Sequence, residues 1–205
     1  MKDAKAQKPR TRRGQTRAKW LRVNAETNAL DYLARTVEFL KESNTDPMAW
    51  KWVVLGLFGA LYGFAICALQ GTNPERVRRG DKLISFEEAI SRCRNARHME
   101  ILVGSRVLEL SADQKRSVRR LKDTHRDVFE HFQPHARSVE LHDLPSLVID
   151  ILPAVRFLAL DTGNYVQLNV AQQRRVRSLV RCGLELANDH KLHRELEQLK
   201  ARRRR

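Results

Sequence analysis

Arg126 and His131 are separated by four residues in the run Arg126-Asp127-Val128-Phe129-Glu130-His131, and their side-chain types suit one chemistry in particular. An imidazole that titrates near neutrality can take a proton from a ribose 2′-hydroxyl or give one to a departing 5′-oxygen. A guanidinium stays charged and offers a planar fork of donors to the phosphorane formed in between. That reaction requires neither metal nor cofactor. Asp127 and Glu130 are the supporting groups. A histidine at the carbonyl end of a helix is favoured in its charged form, which tilts His131 toward general acid, and nearby carboxylates reinforce the direction.

The same spacing occurs a second time, in Arg120 and His125, and the two pairs are not equivalent. Val118, Leu121, His125, Val128 and Phe132 recur at helical intervals, so His125 belongs to a core stripe and is expected to be satisfied there by one hydrogen bond. Arg126 and His131 flank that stripe, about 140° apart on a regular helix. Loosened geometry before Pro134, or a two-fold dimer that brings a second copy of the pair across the seam, would relieve the separation. A cleft shared by two chains is therefore expected. Lys115, Arg116, Arg119, Arg120, Lys122 and Arg126 are opposed within the segment by Asp113, Asp123 and Asp127. They read either as a solvated helix face or as a phosphate track in which Arg119, Arg120 and Lys122 bind RNA.

Other chemistries find little support. His131 and His135 are separated by the helix breaker Pro134, and His190 with His193 lacks nearby ligands of suitable type for zinc. The phosphate-binding loop, the dinucleotide fingerprint, the serine hydrolase elbow and the HExxH metal motif do not occur.

The elements that must position the pair are helical. Asn24 can cap a helix over 24–43, and Asp46-Pro47 reads as an N-cap with proline at the first helical position. A short link between these two helices predicts that they lie antiparallel. The second helix holds an uncharged run of 18 residues, 52–69, about 27 Å long at ~1.5 Å per residue. A membrane span and a buried core helix are both compatible with it. The core helix is the preferred reading, with Gly56, Gly59 and Gly63 forming a stripe for close contact with a neighbour. Residues 71–82 read as a solvated loop. Ser85 with Glu88, and Ser111 with Gln114, are capping-box pairs that open helices, the first running to about residue 97 and the second ending at Pro134. Residues 138–142 read as an extended link. Leu144-Pro145 starts a further helix, which Pro153 should kink and Gly163 should stop, and an amphipathic helix is expected over roughly 171–200. The sum is an all-α, up-and-down bundle of about five or six helices.

The net charge of +15 is concentrated at the ends. Residues 1–22 carry nine basic and one acidic side chains, 23–165 carry 19 of each, and 166–205 carry eleven basic and four acidic. This divides the chain into a basic N-terminal tail (1–22), a helical domain (23–168) and an amphipathic C-terminal helix with a basic end (169–205). Basic ends hold any polyanion by counterion release without reading its sequence. Cys67, Cys93 and Cys182 are isolated and odd in number, which points to a reducing, cytoplasmic setting, and no signal peptide pattern opens the chain.

The chain resembles the HEPN superfamily (higher eukaryotes and prokaryotes nucleotide-binding) through Arg126-Asp127-x3-His131, which matches its RxxxxH signature. The run from Arg126 to Pro134, Ser138-Val139-Glu140-Leu141, Leu144-Pro145, Arg156-Phe157-Leu158 and Gly163-Asn164 is similar to a plasmid-borne prokaryotic HEPN-like branch. Asp46-Pro47, Trp50-Lys51-Trp52 and Ala68-Leu69-x-Gly71-Thr72 extend the likeness upstream, so it covers roughly 28–168. The resemblance implies a four- or five-helix bundle, a homodimer that pairs the two motifs, and metal-independent RNA cleavage in toxin, phage-defence or RNA-processing settings. In this sequence Arg126 and His131 take the motif positions and Asp127 the polar position after the arginine. An antitoxin or other regulatory partner is also implied. HEPN toxins silenced by adenylylation carry a tyrosine two residues after the histidine, whereas Gln133 stands there, which speaks against that mechanism. The resemblance favours the core reading of 52–69, and an inactive HEPN-like module that binds RNA or nucleotides is the alternative to the enzyme.

Overall fold

The computed structural model of this 205-residue chain describes residues 19–131, 134–136 and 138–203. The expectations for residues 1–18, Phe132 and Gln133 lie outside the described residues. Asn24 opens α1 (Ala25–Glu42) through a capping box: its Oδ1 accepts from the Thr27 N–H at 2.8 Å while its own N–H donates to Thr27 Oγ1 at 3.2 Å. The second helix, α2 (Ala49–Gln70), starts later than the Asp46-Pro47 signal implies. Asp46 Oδ1 accepts the Met48 N–H at 2.8 Å and caps an intervening turn.

The glycine stripe of α2 faces α1. A Cβ on Gly56 would fall 2.5 Å from Thr36 Oγ1, on Gly59 2.6 Å from the Tyr32 ring, and on Gly63 2.7 Å from Ala29 Cβ. Rising numbers on α2 meet falling numbers on α1, so the pair is antiparallel. By length and composition α2 could cross a membrane, but 67% of its most apolar stretch is buried within this fold. It is the central helix of the core, contacting α1 and most of the elements described below.

Residues 71–82 are more ordered than a loop. A 3-10 turn (Pro74–Val77) leads into a two-residue antiparallel hairpin, β1 (Arg78–Arg79) with β2 (Lys82–Leu83), around Gly80 at φ +62°. The Tyr62 hydroxyl donates to the Ile84 carbonyl and ties this hairpin to α2. The helix expected to reach residue 97 breaks into α3 (Phe86–Cys93) and the single turn α4 (Ala96–Met99), because Asn95 recaps the chain by accepting the Arg97 N–H at 2.9 Å.

A second long segment runs from α5 (Ala112–Arg120) through a π turn (Leu121–Arg126) into α6 (Asp127–Glu130). Helix α7 (Leu144–Arg156) has Pro145 in its first turn, continues past Pro153 and loosens into another π turn (Phe157–Asp161). Gly163 then reverses the chain at φ +75°, where a Cβ would sit 2.8 Å from the Gly104 carbonyl oxygen, so glycine is required both by backbone and by space.

The expected helix over 171–200 is two helices, α8 (Val170–Asn188) and α9 (Lys191–Arg203). They part at His190, which is buried with its ring edge-on to Trp50 at 5.1 Å. Its Nδ1 accepts the Leu192 N–H at 3.2 Å, which leaves Nε2 to donate to Ser43 Oγ at 3.2 Å while Ser43 donates to the Leu40 carbonyl at 2.8 Å. Burial holds the His190 pKa below its ordinary value, consistent with this neutral tautomer. Val176, Val180 and Ala187 of α8 join the same apolar cluster as Leu33, Leu57, Phe64 and Ile151, so the core draws on both sides of residue 168. The fold is all-α apart from the hairpin among the described residues.

Candidate active site

The segment bearing Arg126 is anchored at its start. Ser111 Oγ accepts the Gln114 N–H at 3.1 Å and the Gln114 side chain accepts the Ser111 N–H at 3.0 Å, the reciprocal box expected from sequence. Ser117 Oγ donates to Asp150 Oδ2 at 2.5 Å and Gln114 Nε2 to the Asp150 carbonyl at 3.2 Å, fixing α5 on α7. Val118, Leu121 and His125 are buried in register with the predicted stripe. The π turn then shifts the pattern: the Asp127 N–H bonds the Lys122 carbonyl, one residue further back than in an α-helix, and Phe129 rather than Val128 packs on the core.

His125 is a core residue without the expected hydrogen bond. It is 2% exposed, and neither ring nitrogen has a partner among the described residues. Burial, followed by the charge of Arg120 and opposed by Asp143, pushes its pKa down to about 4. Its spacing partner Arg120 points to Asp143 instead, Nη2 to Oδ2 at 3.0 Å. This pair cannot meet a substrate together, because the imidazole is inside the fold.

Arg126 and His131 sit differently. Helix α6 ends at Glu130, and His131 leaves it with extended backbone (φ −98°, ψ 123°) while its N–H still bonds the Asp127 carbonyl at 3.2 Å. One ligand-type atom from each of Asp127, Glu130 and His131 lies within 4.8 Å of the others, a set that could hold a cation. Arg126 already engages both carboxylates, Nη1 to Asp127 Oδ1 at 2.9 Å and Nη2 to Glu130. Burial works against its charge, and the Asp127 hydrogen bond with the Glu130 carboxylate outweighs it, leaving the guanidinium pKa raised. All four predicted residues are thus gathered in one cluster.

Arg126 and Glu130 of that cluster line one rim of a groove of about 600 Å³ between α1 and α2. The Arg126 guanidinium lies over the Phe58 ring at 5.0 Å, and Phe58 packs on Phe86 at 4.6 Å. Trp52, Tyr62 and Leu83 line the rest, with Trp52 47% and Leu83 51% exposed. Sequence reasoning missed this wall, because neither a buried core helix nor a membrane span over 52–69 implies a half-exposed groove on one side of α2. Its aromatic residues Trp52, Phe58 and Tyr62, two of which carry a polar tip, were the available signal.

The predicted RNA-binding residues are mostly occupied. Lys122 Nζ is 2.5 Å from Glu87 Oε1 and 2.9 Å from Asp123 Oδ1, and these hydrogen bonds hold its pKa well above the ordinary value. Arg120 is bound to Asp143 and Arg116 to Asp113, whereas Lys115 and Arg119 make no ion pair among the described residues. Family models, curated proteins and solved structures return no match to this chain. The site therefore stands on its own geometry. The three cysteines are free, and burial pushes the Cys93 thiol up to about 12, which removes it as a nucleophile.

Proposed function

We propose that this chain is a HEPN-like, metal-independent endoribonuclease that works as a homodimer in a cytoplasmic toxin, phage-defence or RNA-processing role. The observation that carries this reading is the convergence of Arg126, Asp127, Glu130 and His131 in one cluster, of which Arg126 and Glu130 line the α1–α2 groove. A second copy covering the half-exposed face of Trp52, Phe58 and Tyr62 would bring two such clusters together.

In that cleft the ribose 2′-hydroxyl attacks phosphorus and its proton passes to one His131. The 5′-oxygen leaves with a proton from the other His131, giving a 2′,3′-cyclic phosphate and a 5′-hydroxyl. Arg126 exchanges one carboxylate for a non-bridging phosphate oxygen as charge builds. Asp127 and Glu130 hold the fork until substrate arrives.

The test is incubation of purified protein with single-stranded and structured RNA in EDTA, alongside Arg126→Ala and His131→Ala. Cleavage lost in both variants supports the enzyme. Binding without cleavage from mildly acidic to basic pH sinks it. That outcome selects the second reading, an inactive HEPN-like module for RNA or nucleotides, which the double carboxylate engagement of Arg126 favours. A regulatory partner or antitoxin belongs to the first reading and is sought by co-purification.

A further inference from the structure

We propose that the outer face of α8 is a docking surface for the phosphate backbone of RNA, centred on Arg174, Arg177 and Arg181 and separate from the Arg126 cluster. The proposal rests on RNA as the ligand of this chain. At ~100° per residue these three arginines fall within about 60° of one another, and they span about 10 Å along the helix. All three are exposed. Arg174, Arg177 and the adjacent Arg175 make no ion pair among the described residues, and Arg181 has only Glu185 at 4.0 Å.

Arg156 of α7, itself 3.5 Å from Asp161 Oδ2, adds a fourth guanidinium beside Arg177 and Arg181, where they wall a depression of about 490 Å³ lined by Leu184 and bounded by Glu185 and Asp189 at the carbonyl end of α8.

The arrangement works against the helix that carries it. Arginines three and four residues apart repel each other. The first turn of α8 holds no acidic residue, and Glu185 lies near its carbonyl end, the reverse of what the macrodipole favours. A polyanion relieves this strain. The platform is rigid, since Val176, Val180 and Ala187 are buried and a Cβ on Gly183 would meet Leu152 Cδ1 at 2.7 Å.

The chemistry selects nucleic acid over a membrane surface. Guanidinium forks take phosphate oxygens in pairs, and α8 has no lysine. Its apolar stripe faces the core, so it has no broad apolar face to insert into a bilayer. Helix α8 packs on α1 and α7, while the Arg126 segment packs on α2 and α7, and no residue lines both the Arg126 groove and the α8 depression.

The experiment uses the full chain carrying His131→Ala, so that RNA survives, and a fluorescein-labelled single-stranded RNA read by anisotropy across a salt series. Arg174→Gln, Arg177→Gln and Arg181→Gln combined should weaken binding at least about tenfold at ~0.1 M salt and flatten the log–log salt slope by about 2, at ~0.7 per phosphate. The same three positions changed to lysine should keep the slope. An unchanged slope in the glutamine variant overturns the proposal, as does no RNA binding by the parent. A loss that instead follows Lys115→Gln with Arg119→Gln also overturns it, and so does preferential binding of phosphatidylserine vesicles through the three arginines. If the glutamine variant loses RNA while the chain with His131 intact cleaves none, the docking surface stands and the ribonuclease falls. Intact cleavage with unchanged binding means the reverse.

Discussion

Two arginine-rich segments of this chain look alike in sequence and are opposite in structure. Between Lys115 and Arg126 four of the six cations, Arg116, Arg120, Lys122 and Arg126, are met by carboxylates from three sources: their own helical segment (Asp113, Asp123, Asp127, Glu130), α3 (Glu87) and the entry to α7 (Asp143). Along α8 the arginines face solvent, and only Arg181 has an ion-pair partner among the described residues, Glu185 at 4.0 Å. The first segment uses its charge to fix a local geometry, and the second leaves its charge available. Counting basic residues along one helix misses this, since two of the neutralising carboxylates arrive from elsewhere in the fold.

The largest expected effect separates the two segments by kind. Arg126→Ala and His131→Ala should each lower RNA cleavage by about 10²–10⁴-fold, the range for loss of a general acid or base or of a preorganised charge. The α8 glutamine variant should raise KM and leave kcat near that of the parent protein. Steady-state cleavage of a fluorogenic RNA measures both. Equal loss of kcat in the two sets would erase the distinction between a chemical and a retaining surface.

The next effect concerns stability beneath the paired segment. His125 is neutral in the fold down to about pH 4, whereas in the unfolded chain it takes up a proton near its ordinary value. Its folded pKa is depressed, so the unfolded state binds the extra proton and stability falls as pH drops from about 6.5 toward 4, by about 3 kcal/mol in all. Urea unfolding at both pH values measures it. His125→Leu, which removes two unpartnered buried nitrogens, should show a correspondingly smaller loss and be about 1 kcal/mol more stable at pH 7. Parallel pH curves for the two proteins would contradict the buried imidazole as the source.

This pattern marks what could be read from sequence. Local signals held up: the cap at Asn24, the box at Ser111, the glycine stripe of α2, and His125 inside while Arg126 and His131 flank the buried stripe. Each depends on residues a few positions apart. Failures arose where distant chain decided the outcome. The Trp50 ring and Ser43 draw His190 into the core and split the C-terminal helix. Glu87 and Asp143 silence Lys122 and Arg120, and the half-open aromatic wall of α2 depends on which of its sides α1 and α7 leave uncovered. The π turn was also invisible, because its sequence 121–126 fits an ordinary helix equally well.

A smaller effect tests the contrast from the other side, by releasing a paired cation. Asp143→Asn frees Arg120 and Glu87→Gln loosens Lys122. Both pairs are partly exposed, so either change should alter stability by less than about 1 kcal/mol. RNA affinity should rise a few-fold, with the salt slope steeper by about 0.7 for each cation gained. Salt-series anisotropy reads this directly, and unchanged affinity in both variants would mean that this segment lies away from the RNA path even when its charge is free.

The smallest effect lies at the junction between the segments. His142 Nδ1 is 2.6 Å from Glu140 Oε1 and its Nε2 is 3.4 Å from Glu195 Oε2 on α9. The Glu140 hydrogen bond, with the Glu195 carboxylate beyond it, raises the imidazole pKa. Because the folded value is raised, the bridge is complete below about 6.5 and is lost as pH climbs through the higher folded value. An NMR titration of the His142 ring should therefore have its midpoint above about 6.5, moved down more by Glu140→Gln than by Glu195→Gln. A midpoint at or below that value would remove the bridge. The contrast with His125 is physical: one imidazole is held charged at the surface between two acids, while the other is kept neutral in the core with no partner among the described residues, so acidification tightens the outer tie of α9 while it weakens the fold beneath the Arg126 segment.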